Sequence, residues 1–128
     1  MASYAFTAPI LKGKTETLKK YAREAMGPRR NEYFDFDRKI GLEVEQIWIQ
    51  QTPGGDMVVA RWETDNPARI MEECMTSEHP FGKWFREKVL FECLGLSPSD
   101  EGGPLNELIV DYHGQSVGDK TYSESRKK

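Results

Sequence analysis

The feature that most constrains this chain is residues 42–64, LEVEQIWIQQTPGGDMVVARWET. Two runs rich in β-branched and aromatic residues flank Pro53-Gly54-Gly55-Asp56, where paired glycines supply the positive φ angles of a tight hairpin. With Gly54 and Gly55 as the two loop residues, Trp48 lies opposite Arg61, Ile49 opposite Ala60 and Ile47 opposite Trp62. Successive side chains point to opposite faces. Ile47, Ile49, Val58, Ala60 and Trp62 then share a face suited to packing against helices, and Val44, Gln46, Trp48, Gln50, Val59, Arg61 and Glu63 share the other. A slip of one residue exchanges the two sets.

The flanking segments supply both the cover and further strands. Residues 3–9 alternate Tyr4, Phe6 and Ala8 against Ser3, Ala5 and Thr7, the period of a half-buried strand. After Gly13, TETLKKYAREAM places Leu18, Ala22, Ala25 and Met26 on one helical stripe. Gly27-Pro28 interrupts it, and a second helical piece over about 29–40 carries Tyr33, Phe36 and Ile40; Pro28 permits either one kinked helix or two. Beyond the hairpin, Asp65 or Asn66 caps a helix that opens at Pro67 and buries Ile70, Met71, Cys74 and Met75. SEHPFGKWFREK leads into a helix over about 80–94, where Phe81, Phe85, Val89 and Cys93 recur every four residues beside Trp84. Residues 97–104 read as a loop and LNELIVDY, 105–112, as a final strand. From 114 to 128 the chain is polar and reads as a flexible tail.

The order β-α-β-β-α-β is the split βαβ, or ferredoxin-like, pattern: an α+β fold with a four-stranded antiparallel sheet and helices on one face. At 128 residues the expectation is one domain over 1–113 followed by the tail. The open sheet face is too polar for a dry core and too apolar around Trp48 and Val59 for an idle surface. Two uses fit it: contact with the same face of a second subunit, or the wall of a ligand cavity, and a dimer of curled sheets accommodates both.

Composition removes several function classes. Net charge is −3 with scattered Lys and Arg, so no basic stripe exists to neutralise nucleic-acid phosphates. No run of eighteen apolar residues spans a membrane, and the N-terminus lacks the basic region of a signal peptide, which together suggest a cytoplasmic protein. Cys74 and Cys93 fall on apolar helix positions and read as reduced core thiols. The chain has no GxGxxG, GxxxxGK[ST] or GxSxG motif, and its acidic loops lack calcium-ligand spacing.

The hairpin IWIQQTPGGDMVVARWET, the helix start DNPARI and the helix HPFGKWFREKV together resemble the dimeric α/β-barrel superfamily, which includes the antibiotic-biosynthesis monooxygenases. The likeness covers about residues 3–112 and is nearest to small bacterial members of unassigned function. It implies a homodimer with sheets packed face to face and a pocket between the sheet and helices of each subunit. Reactions in the superfamily range from cofactor-free oxygenation to haem degradation and isomerisation, so the fold does not fix one. Trp62 matches the strand-end Trp of the haem-degrading branch. That branch also needs a first-strand Asn, where this chain has Phe6 and Thr7, and a helix His, where it has Trp84 and Phe85.

The candidate ligand-binding residues are Tyr4, Tyr33, Trp48, Arg61 and His79, with His79 and Arg61 as candidates for catalysis. An imidazole titrates near neutral pH and suits proton transfer, but His79-Pro80 equally suits the start of a helix. His113 lies far from it in sequence, so a histidine metal site is not expected, nor is a cofactor. Arg86 is able to clamp a carboxylate if it turns inward. The expected activity is cofactor-independent oxidation or isomerisation of a small, aromatic metabolite; the competing expectation is a non-catalytic dimeric interaction or regulatory module.

Overall fold

The computed structural model describes residues 2–98 and 106–114. Their elements are β1 (Ala2–Pro9), α1 (Thr15–Met26), α2 (Arg30–Lys39), β2 (Val44–Thr52), β3 (Gly55–Thr64), α3 (Pro67–Thr76) and α4 (Pro80–Phe85). A π-helical stretch, Arg86–Cys93, continues α4 without a break. The fold is α+β. Its antiparallel sheet has the order β1-β3-β2, with the second hairpin strand at the centre.

The hairpin forms, with its turn one residue earlier than the glycine pair predicts. Thr52 pairs with Gly55, so Pro53 and Gly54 are the loop residues, and Gly55 carries the positive φ of 130°. Trp48 therefore lies opposite Val59 and Ile47 opposite Ala60. This moves the register by two, and a shift of two returns every side chain to the same face. Val58, Ala60, Trp62 and Thr64 are buried under the helices, while Val59, Arg61 and Glu63 face outward.

Gly27, Pro28 and Arg29 separate α1 from α2, since proline cannot supply the amide that would continue the first helix. Arg29 holds the break together: it donates to Glu24 at 2.7 Å and to Glu32 at 2.8 Å, and its guanidinium lies 4.6 Å from the Trp84 ring centroid. Asn66 caps α3 by accepting from the Arg69 amide at 3.2 Å. The α4 helix crosses α2 at Gly82, where a Cβ would stand 2.8 Å from Phe36 Cε1. In an α-helix, a residue every four positions drifts around the axis because a turn takes 3.6 residues. The i→i+5 winding of Arg86–Cys93 takes more residues per turn and reverses that drift. Phe81, Val89 and Cys93 thus stay buried on one stripe.

The fourth strand expected over 105–112 is not formed by the described residues. Residues 106–114 join no ladder. A strand exists only by pairing, and here one side-chain bond, Asn106 Nδ2 to the Ala5 carbonyl at 2.6 Å, ties the segment to the edge of β1. Leu108, Ile109, Val110 and Tyr112 stay exposed. Of the expected tail, residues 115–128 lie outside the described residues, as do residues 99–105 of the expected loop and strand. No helix among the described residues is long and apolar enough to cross a membrane.

Candidate functional site

The helix-facing side of the sheet does not close fully on the helices. Between β2, β3, α1 and the α4 helix lies a cavity of about 690 Å³. Its size and apolar character suit a small organic ligand. The aromatic wall is organised by Phe81, which stacks on Tyr33 at 4.8 Å between centroids and touches Trp84 at 5.4 Å and Phe85 at 5.9 Å. Tyr21 meets Trp84 edge-on at 5.8 Å. Trp62 and Phe6 stack in parallel on the sheet side. Lys19 and Arg23 of α1 also line the cavity, and both are exposed.

Few polar groups enter this wall. Tyr33 donates its hydroxyl to Glu45 Oε1 at 2.8 Å, and Asp37 hydrogen-bonds the same carboxyl. Burial, reinforced by the charge of Glu45, pushes the Asp37 carboxyl far above the usual carboxylate range, so it is protonated at neutral pH. Burial first, then the charges of Glu45 and Asp37, also raise Tyr33, which remains a hydroxyl. Tyr33 and Glu45 belong equally to a second cleft of about 460 Å³, lined with Asp37, Arg38 and Glu43. The Tyr33–Glu45 contact is the partition between the two spaces. Trp62 is only 4% exposed, and its Nε1 is the one buried side-chain nitrogen or oxygen among the described residues without a hydrogen-bond partner. The Cys74 thiol also lines the cavity and is pushed up by burial, so it is neutral and a weak nucleophile.

The structure brings two of the sequence-derived candidates to the cavity, Tyr33 and Trp48. Trp48 reaches its rim from the edge strand and is 50% exposed. Tyr4 lies on the same sheet side, opposite Trp62, but packs into the core without lining the cavity. Arg61 sits on the outer sheet face, where it donates to Gln46 at 3.0 Å and pairs with Glu63. Arg86 binds the Cys74 and Ser77 carbonyls and so fastens α3 to the following helix.

His79 is an architectural residue in this fold. Its Nδ1 accepts from the Phe81 amide at 3.0 Å, capping α4, and its Nε2 meets Asp35 Oδ2 at 2.9 Å. An accepting Nδ1 assigns the proton to Nε2, which donates to Asp35. His79, then Lys39, hold the Asp35 carboxyl below its usual range. His79→Ala should lower stability by about 1 kcal/mol, the typical cost of a lost cap, in urea unfolding. Ligand affinity at the cavity should stay within twofold.

Glu45 and Asp37 were outside the sequence candidates. Glu45 had a visible signal: it occupies the inward parity of Ile47 and Ile49, and a carboxylate on an apolar face demands partners. Among the described residues no three His, Cys, Asp or Glu side chains gather to hold a metal ion. Comparisons of the chain with protein-family models, with curated proteins and with solved structures returned no match.

Proposed function

We propose that this protein is a small-molecule-binding α+β protein of the dimeric α/β-barrel type. The observation that carries the reading is the aromatic-walled cavity of about 690 Å³ between sheet and helices, with its few placed polar groups. Oxidation or isomerisation of a small apolar metabolite without a bound cofactor is the chemistry that the resemblance implies for such a cavity. In this reading two subunits oppose their outer sheet faces, each presenting Trp48, Val59 and the Gln46–Arg61–Glu63 cluster. Exposed Leu108, Ile109 and Val110 support a fourth strand that forms against the free edge of β1 in the assembled dimer.

A thermal-shift screen of small aromatic compounds tests the binding site, because a ligand that binds only the folded state raises Tm. A hit should lose its shift in Ala22→Trp, which fills the cavity from an exposed position on α1. An unchanged shift in that variant would place binding elsewhere. Sedimentation at micromolar concentration should show a dimer; a stable monomer refutes the barrel.

A further inference from the structure

Glu45 and Trp62 are direct cross-strand partners on β2 and β3. Residues so paired point to the same face with Cβ atoms roughly 5 Å apart. Both line the cavity. One is an acceptor already oriented, since the Tyr33 hydroxyl and Asp37 hold its carboxyl in place. A carboxylate has about four acceptor sites, so these two bonds leave capacity for another donor. The other is a donor with no acceptor in the protein, on a side chain more than nine-tenths buried. A buried donor and a buried acceptor, side by side on the floor of one cavity, define the polar chemistry of an occupant.

We infer that the cavity takes a flat apolar compound bearing a hydroxyl group, seated so that its oxygen accepts from Trp62 Nε1 and its hydrogen is donated to Glu45. The inference rests on the reading of the cavity as a binding site and adds the class of its ligand. A hydroxyl is the smallest group that is donor and acceptor at one atom. An ether or ketone satisfies Trp62 and gives Glu45 nothing. An ammonium group gives to Glu45 and leaves the indole unmatched. A carboxylate would meet the acidic pair with like charge. The surrounding rings of Phe81, Tyr33 and Trp84 favour an aromatic or similarly flat body.

Three probes of nearly one shape separate the contacts: 2-naphthol, 2-methoxynaphthalene and naphthalene, measured by isothermal titration. The wild-type protein should bind 2-naphthol about tenfold more tightly than 2-methoxynaphthalene, and the ether more tightly than naphthalene. Trp62→Phe should remove the ether's advantage over naphthalene, with naphthalene affinity kept within about twofold. Glu45→Gln should cut the preference for 2-naphthol over the ether several-fold. In the wild-type protein, the Trp62 indole N–H resonance should move with 2-naphthol and the ether and stay fixed with naphthalene. That measurement, with the wild-type probe order, decides the matter if a variant does not fold. Equal affinity for all three probes overturns the inference and leaves the cavity a binding site. Failure of all three to bind overturns both.

Discussion

Replacing Phe81 by alanine should destabilise the protein by about 3–5 kcal/mol, the range for removing a fully buried aromatic ring. The ring is 1% exposed and contacts Tyr33, Phe36, Trp84 and Phe85. It therefore joins α2, which carries Tyr33 and Asp37, to the helix that forms the opposite cavity wall. Urea unfolding should show a lower midpoint for Phe81→Ala and a smaller decrease for Phe81→Leu. Phe34→Ala is the control: that ring is 48% exposed, and its loss should cost less than about 1 kcal/mol. Equal losses at 81 and 34 would mean that the aromatic cluster does not organise this core.

The second large effect concerns pH. Asp37 has a raised carboxyl in the folded chain and an ordinary one when unfolded. The folded state therefore holds a proton that the unfolded state releases once pH passes the ordinary Asp range. Stability is greatest below that range and declines as pH rises toward the raised value, by at most about 1.4 kcal/mol per unit. Asp37→Asn keeps the shape and donates to Glu45 with no titrating proton. It should flatten the profile and exceed wild-type stability by on the order of 2 kcal/mol at pH 8. Tyr33 and Cys74 face the same pair from α2 and α3, and both are raised, so they stay neutral over this interval. Thermal unfolding from pH 5 to 8 checks it. Parallel curves for the two proteins would show that the carboxyl pair shares no such proton.

Much of the architecture was legible because it is periodic. The alternation in residues 44–64 fixes which side of the sheet meets the helices, and a two-residue error in register leaves that answer intact. Asn66 and His79, each before a proline, mark helix starts by local chemistry, and both act as caps. The fourth strand failed as a sequence reading because β propensity describes a segment, whereas a ladder describes two. The site was less legible. Glu45 meets Asp37 only because the chain reverses at Gly41, where φ is 86° and α2 ends, and no spacing rule encodes that meeting. Trp62 was conspicuous by type, but its lack of an acceptor is a property of the packed cavity. His79 looked chemical in one dimension because its two ring nitrogens were unassigned; in three, a main-chain amide and a carboxylate take both.

The Pro53-Gly54 turn has a consequence well beyond its own two residues. Glu45 stands as far before Thr52 as Trp62 stands after Gly55, and Thr52 and Gly55 are the closing pair. The turn is thus the origin from which both arms are measured, and the juxtaposition of carboxylate and indole is a matter of counting. One residue added to the β2 arm must be absorbed as a bulge, or it rotates Glu45 outward and brings a neighbour, Val44 or Gln46, to stand against Trp62. Loop length, usually the most freely varied property of a hairpin, is here part of the specification of the site.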